Sequence, residues 1–139
     1  MMMMSHVYSK IVSHKEWLLH KYVYGLSETY GFRVPRPYSY DLKTGLMKMQ
    51  RIPHMCVSDF YGALSTDVPE HVFTKIREIL TILYNHGVYY PDITGYNFIE
   101  YNGHLWIIDF GHAYISDKIK DPFVLEFLQG LNEWNPEFL

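Results

Sequence analysis

Residues 91–113 read PDITGYNFIEYNGHLWIIDFGHA, and this stretch decides how the whole chain is interpreted. Its acidic and amide side chains flank two apolar segments: Asp92 and Asn97 precede the first, and Asp109 follows the second. The Asn-Gly pair between the segments is a strong hairpin signal, because both residue types accept the positive φ angles of a two-residue turn. A hairpin brings the outer ends of its strands together, so the sequence predicts that Asn97 lies near Asp109.

The composition favours one folded domain. Apolar residues make up 48% of the 139 residues and charged residues 19%, which suits a packed core. The formal net charge of −3 provides no general attraction to nucleic acid or anionic membranes, so we expect neither as a partner. No apolar run approaches the roughly 20 residues of a membrane span. The start is too polar for a signal peptide, and the single cysteine, Cys56, fits a reducing compartment, so we expect a cytoplasmic protein.

The histidines and tyrosines suggest two further functions, and their context argues against both. The eight histidines are scattered along the chain without the Cys-x-x-Cys or His-Glu-x-x-His spacing of zinc sites. The 13 tyrosines could stack on bases, but without a basic surplus we expect them to fill the core or a partner interface. We interpret His86 as a helix-end histidine and His112 as a loop histidine rather than as catalytic groups.

Two segments combine helical periodicity with capping signals. Ser13 and Glu16 have the spacing of a capping box, and so do Asp67 and Glu70, with Pro69 tolerated in the first turn. Each helix is expected to end at a glycine, which is the usual C-terminal stop. One face of the second helix is apolar at helical spacing: Val72, Phe73, Ile76, Ile79, Leu80 and Leu83.

The strands complete an α+β arrangement. Residues 7–12 are typical of a short strand, and residues 38–52 predict a hairpin with its turn at 43–45. The Asn-Gly hairpin follows the second helix, and a terminal helix is expected up to about Gln129. Strands and helices in this order predict an α+β fold, and no Gly-x-Gly-x-x-Gly marks a dinucleotide-binding unit.

The acids and the amide suit phosphoryl transfer. A carboxylate and an amide oxygen, from Asp109 and Asn97, are the hard ligands that Mg²⁺ prefers, and that ion takes further ligands from substrate phosphates. Asp92, set to one side, would orient a hydroxyl or accept its proton. Phosphoryl transfer needs this division, because positioning and charge neutralisation provide most of the catalysis.

The order Asp92, Asn97, Asp109-Phe110-Gly111 resembles the protein-kinase pattern of an Asp base, an Asn five residues on, and then Asp-Phe-Gly. By this resemblance the chain is identified as a member of the protein-kinase-like superfamily. PDITGYN resembles the Asp-Leu-Ser-Glu-Tyr-Asn loop of RIO kinases, and its Asp-Ile-Thr resembles the Asp-Leu-Thr of the kinase subunit of the KEOPS complex. Aminoglycoside phosphotransferases share the broader pattern, and a viral origin would fit so compact a version.

The resemblance implies a kinase-like fold that binds ATP and Mg²⁺. It implies a single domain over residues 1–139, with a reduced small lobe and hinge over about 1–52 and a truncated, mainly helical large lobe over 53–139. Asp92 resembles the catalytic base, and Asn97 and Asp109 resemble the metal ligands. The residues that resemble the nucleotide-binding groups are Lys10 with its helix partner Glu16, and the hinge residues Met49, Gln50, Arg51 and Ile52.

Several positions depart from the kinase pattern. Tyr90-Pro91 replaces His-Arg, Thr94 replaces a lysine, no glycine-rich loop precedes Lys10, and no Ala-Pro-Glu follows the Asp-Phe-Gly. The alternative for Lys10 and Glu16 is a solvated lysine and a capping-box glutamate. Two functions stay open: a Ser/Thr-type phosphotransferase or ATPase with a protein substrate, and a pseudokinase that acts as a protein-binding or regulatory module.

Overall fold

The computed structural model describes residues 6–116 and 118–139. It contains both helices and short strands, which confirms the predicted α+β class. The helices and strands follow one another as β1 (Val7–Ile11), α1 (His14–Tyr30), β2 (Pro37–Tyr40), β3 (Leu46–Gln50), α2 (Val57–Tyr61), α3 (Glu70–Asn85), β4 (Val88–Tyr89), β5 (Phe98–Tyr101), β6 (His104–Ile107), β7 (Tyr114–Ile115) and α4 (Pro122–Leu128). Short 3-10 turns cover Ser65–Asp67 and Pro136–Phe138.

The first sheet has the antiparallel order β1-β3-β2. Lys10 lies opposite Met47 and is the only half-buried residue of β1, whose other members are exposed. A lysine that is better shielded than its apolar neighbours calls for a charged partner, because a buried ammonium is otherwise costly. A small apolar cluster of Val12, Met47 and Met49 covers the inner side of this sheet.

Helix α1 begins where the sequence predicts, but the predicted capping box is incomplete. Ser13 Oγ accepts a hydrogen bond from the Glu16 backbone N–H at 3.1 Å, as an N-cap should. The Glu16 carboxylate instead lies 2.7 Å from Lys10 Nζ. A charge-assisted contact is stronger than a bond to a neutral backbone N–H, so the lysine takes the carboxylate. Gly31, with φ 85°, ends the helix.

Helix α3 begins at Glu70, and the predicted start at Asp67 is wrong. Val68 is extended, with φ −100° and ψ 131°, because the proline that follows it disfavours helical backbone at this position. Asp67 closes a separate 3-10 turn by accepting from Leu64 N–H at 3.2 Å. The predicted apolar face is confirmed, since its six members are all buried: Val72, Phe73, Ile76, Ile79, Leu80 and Leu83.

The hairpin of β5 and β6 forms as predicted. Asn102 and Gly103 have φ angles of 56° and 77°, and Phe98 lies opposite Ile107. Helix α4 ends at Leu128, next to the predicted limit. Strand β4 pairs with β7, which begins three residues after Gly111, and this pairing is not predicted from the sequence.

The main core joins elements from both halves of the chain. Leu19 and Val23 of α1 pack in the same buried cluster as residues of α3, the β5–β6 hairpin and α4. Helix α1 therefore links the small sheet to the main core. The division into lobes at residue 52 stays a prediction.

Candidate functional site

The hairpin places Asn97 beside the segment that carries Asp109. The Asn97 carbonyl accepts from Ile108 N–H at 3.0 Å, which extends the β5–β6 ladder by one step. Asn97 is buried, and its Nδ2 donates to the Asp92 carbonyl at 2.9 Å. Only the NH₂ end of an amide can donate, so this bond fixes the orientation of the side chain. Within the described residues, no hydrogen bond occupies Asn97 Oδ1.

Asp109 has a strained backbone and an accessible side chain. Its φ is 62°, and Asn102 is the only other non-glycine residue with positive φ in the described part of the chain. Such a conformation costs about 1–3 kcal/mol and is concentrated at functional sites. Asp109 Oδ1 accepts from Gly111 N–H at 3.1 Å, and 45% of the side chain is exposed. The other oxygen, Oδ2, accepts no hydrogen bond from the described residues.

Lys10 joins Glu16 to Asp109. Its Nζ lies 2.7 Å from Glu16 Oε2 and 3.7 Å from Asp109 Oδ1, with 24% of the Lys10 side chain and 11% of the Glu16 side chain exposed. Burial lowers the pKa of Lys10, but the hydrogen bond to Glu16 and the charges of Asp109 and Glu16 outweigh it, and the net pKa is raised. Lys10 is thus held as an ammonium that bridges two acids.

A cleft of about 450 Å³ connects this cation to the predicted hinge. Its lining includes Lys10 and Asp109 as well as the whole 49–52 segment. The apolar walls come from Pro35, Ile99 and Ile108. This combination of apolar walls and a few convergent polar groups is typical of a small-molecule site. The remaining lining residues are Tyr8, Met49, Gln50, Arg51, Ile52 and His54.

The predicted hinge segment, residues 49–52, has one backbone donor without a partner among the described residues. Gln50 N–H donates to the Arg36 carbonyl at 2.8 Å, and Arg51 N–H donates to the His6 carbonyl at 2.9 Å. Among the described residues, the N–H of Ile52 has no backbone partner. Because a peptide N–H that is withdrawn from water needs an acceptor, the Ile52 N–H is suited to a ligand in the cleft.

Asp92 is buried and contacts a histidine. Asp92 Oδ2 lies 3.0 Å from His112 Nδ1, and only 11% of the Asp92 side chain is exposed. His112 does lie in a loop, as predicted, but the sequence analysis assigns it no contact with Asp92. The only available signal was its position three residues after Asp109. His86 is a helix-end histidine, as predicted, because it caps α3.

Aromatic rings link α1 to the loop that contains Asp92 and to the segment that contains Asp109. Tyr90, which replaces the histidine of the kinase pattern, is fully buried and donates its hydroxyl to the Ile108 carbonyl at 2.6 Å. Its ring lies 5.7 Å from Phe110, and Phe110 lies 5.2 Å from His20 of α1. Burial lowers the pKa of His20, and the positive charge of Lys10 lowers it further. The hydrogen bond to the Pro35 carbonyl raises the pKa but does not outweigh these effects, so the net pKa is lowered. His20 follows Glu16 by one helical turn, a spacing that could have identified it.

The donors present fit Mg²⁺ held together with phosphates. Asn97 Oδ1 and Asp109 Oδ2 are hard oxygen ligands that lie at one end of the hairpin, and Mg²⁺ commonly uses one or two protein oxygens plus phosphate and water. In residues 6–116 and 118–139, no three His, Cys, Asp or Glu side chains gather into a metal site. In the same residues, no helix is long and apolar enough to cross a membrane.

Comparisons with known proteins identify kinase-like relatives. The kinase PK-1 of Cydia pomonella granulovirus is a structural neighbour at a TM-score of 0.57 and 17% sequence identity, over 83% of this chain and 46% of that kinase. At this identity the likeness establishes the fold, which is that of a protein kinase, and the chain spans less than half of that protein. No curated protein sequence matches the chain. The RIO domain, a kinase-like family of ATP-binding phosphotransferases, matches residues 5–129, and the chain belongs to this family.

Proposed function

We propose that the cleft binds ATP with Mg²⁺ and that the chain transfers the γ-phosphoryl group to a hydroxyl. The carrying observation is that Lys10 contacts both Glu16 and Asp109 in a cleft that the hinge segment also lines. In this proposal Lys10 would contact the phosphates, and the hinge segment would contact the adenine base. The RIO domain match supports the proposal at the level of the family.

The hinge segment would bind the adenine ring. Met49 and Ile52 provide apolar contact, and the Ile52 N–H is available to a ring nitrogen. Gln50 has a different task, because its Oε1 accepts from Arg36 N–H at 3.2 Å and ties the end of β3 to the residue that precedes β2. Arg51 contributes to the open rim of the cleft. Adenine binding would thus depend on backbone groups more than on side-chain identity.

Lys10 and Glu16 would bind the phosphates as a unit. Glu16 orients the ammonium, and Asp109 draws it toward the end of the cleft where the hairpin lies. Asn97 and Asp109 would hold Mg²⁺, which supplies charge neutralisation for the transferring phosphoryl group when it is bound. Asp109 is preorganised for this role, because its backbone is fixed and its side chain is accessible.

Asp92 would act as the base. Its carboxylate lies in a loop whose backbone is anchored by Asn97, and a buried carboxylate of this kind can orient an incoming hydroxyl and accept its proton. The acceptor that we propose is a Ser or Thr hydroxyl of a protein, with water as the acceptor in an ATPase. We further propose a cytoplasmic setting in a virus-infected cell, which the granulovirus kinase among the structural neighbours supports.

A protein-binding module without turnover is the second candidate. An apolar groove of about 490 Å³ lies between α1 and β7, and the exposed residues Leu18, Tyr22 and Ile115 contribute to it. Exposed apolar patches of this kind are typical of protein–protein contacts. A pseudokinase that uses this groove would bind its partner irrespective of Asp92.

Calorimetry with ATP, with and without Mg²⁺, tests the proposal. Asp109→Asn should weaken Mg·ATP binding by at least about tenfold, because one carboxylate ligand of the ion is lost. Asp41→Asn is the matched control, because it removes the same charge from a turn that does not line the cleft. Equal affinity of Asp109→Asn and the control for Mg·ATP would refute the metal role.

A further inference from the structure

The contact between His112 and Asp92 has no place in the function proposed so far. Asp92 Oδ2 lies 3.0 Å from His112 Nδ1. An ionised carboxylate carries no hydrogen, so Nδ1 must be the protonated nitrogen and must donate. The bond occupies one oxygen of Asp92. The other oxygen, Oδ1, has no hydrogen bond within the described residues and is the atom that can face an acceptor hydroxyl.

The C-terminal segment supports the histidine. Phe138 packs against His112 with a ring-centroid distance of 5.0 Å. Three residues earlier, the buried Asn135 bonds on both sides of Asp92: its Nδ2 donates to the Pro91 carbonyl and its N–H donates to the Ile93 carbonyl, each at 2.8 Å. The segment is therefore attached to the Asp92 loop and at the same time contacts the ring that binds Asp92.

We propose that His112 is a positioning residue for Asp92, and that Phe138 holds the imidazole in place. His112 fixes Oδ2 and so restricts rotation of the carboxylate, which leaves Oδ1 directed at the acceptor. This inference rests on the proposed role of Asp92 as the base. The histidine transfers no proton in it, and it affects turnover only through the orientation of Asp92.

Exposure of the His112 ring raises the alternative that the bond only stabilises the loop. The side chain is 62% exposed, so water competes for its hydrogen bonds. Two amide substitutions separate the readings. Asparagine carries its NH₂ group on Cγ, at the place of Nδ1, whereas glutamine carries it one bond further out. If the bond only stabilises the loop, the asparagine and glutamine variants should behave alike. If the bond orients Asp92, the two variants should differ, because the orientation depends on where the donating NH₂ group lies.

Steady-state ATP turnover measures this difference. His112→Gln should lower kcat about 10- to 100-fold with the KM for ATP within about twofold, because misplacing a reacting group costs up to about 100-fold. His112→Asn should recover most of that loss, and Phe138→Ala should lower kcat by a smaller factor. His104→Gln, a change at an exposed histidine of the β6 strand, is the control. Equal kcat in both His112 variants, or a rise in kcat for His112→Gln, overturns the inference.

Nuclear magnetic resonance tests the contact without turnover. The ring nitrogens of His112 should show a protonated Nδ1 in the wild type, and Asp92→Ala should remove this preference. A neutral ring protonated at Nε2 in the wild type would overturn the inference. A wild type that shows the Nδ1 proton but neither binds Mg·ATP nor turns it over would refute the proposed function. His112 would then have no catalytic group to position, so this result also overturns the inference. Mg·ATP binding with turnover but without the Nδ1 proton overturns the inference alone.

Discussion

Replacing Lys10 by methionine should destabilise the fold as well as weaken nucleotide binding. The change removes the ammonium and leaves the Glu16 carboxylate, with 11% of its side chain exposed, without its 2.7 Å partner. Breaking a fully buried pair costs about 3–5 kcal/mol, and the exposure of a quarter of Lys10 moves the expected loss to about 2–3 kcal/mol. Urea unfolding should report this loss as a lower midpoint at an unchanged slope.

The double variant Lys10→Met/Glu16→Met separates stability from binding. With both charges removed, no buried carboxylate is left unpaired, so the free energy of unfolding should return to within about 1 kcal/mol of the wild type. Affinity for Mg·ATP should stay low in the double variant, because the phosphates still lack their cation. A single variant as stable as the wild type, or a double variant with wild-type affinity, would refute the reasoning about this pair.

Three further changes test the loops and α1. Asp92→Ala should abolish ATP turnover while calorimetry shows Mg·ATP affinity within about twofold of the wild type, and surviving turnover would assign the chemistry to another group. Gly95→Ala should lower the free energy of unfolding in urea by about 1–3 kcal/mol, because the added Cβ would lie 2.0 Å from Ser58 Oγ. The double variant Gly95→Ala/Ser58→Ala should recover part of that free energy, and an unchanged urea midpoint for Gly95→Ala would contradict this steric argument. Because burial holds the pKa of His20 below 6.5 in the folded chain, the unfolded chain binds a proton at this residue at a higher pH than the folded chain does. The free energy of unfolding should therefore be largest above pH 6.5 and decrease below it. Urea midpoints at pH 7 and pH 5.5 should show a larger decrease in the wild type than in His20→Gln.

Local chemistry made the hairpin and the position of Asn97 at its outer end predictable. The Asn-Gly turn defines the register of β5 and β6, and the register alone brings Asn97 to the Ile108–Asp109 end of the pair. The apolar face of α3 was equally accessible, because periodicity reports burial directly. The start of α3 was not, since Asp67 is a good cap for either a helix or the 3-10 turn that it closes.

The Lys10–Glu16 pair shows where sequence analysis reaches its limit. Six positions separate the two residues. The backbone N–H of Ser13, which would complete a capping box, was an equally good partner for the Glu16 carboxylate. Which partner Glu16 takes depends on the face of β1 from which Lys10 projects. The sequence of a short strand with apolar residues on both faces does not specify that face. The surroundings of Asp92 were also inaccessible to sequence analysis, because Asn135 reaches the Pro91 carbonyl across a separation of 44 residues.

The strain at Asp109 follows from the anchoring of its neighbours. Ile108 is fixed at both of its backbone polar groups, since its N–H donates to the Asn97 carbonyl and its own carbonyl accepts from the Tyr90 hydroxyl. Phe110 is fully buried against Tyr90 and His20. Because both neighbours are fixed, the Asp109 backbone cannot relax to negative φ without withdrawing Phe110 from the core. Burial of such a ring stabilises the fold by about 1.5–3 kcal/mol, which is enough to offset the backbone strain. The backbone is therefore rigid where the carboxylate is accessible, which is the condition for holding an ion without reorganisation.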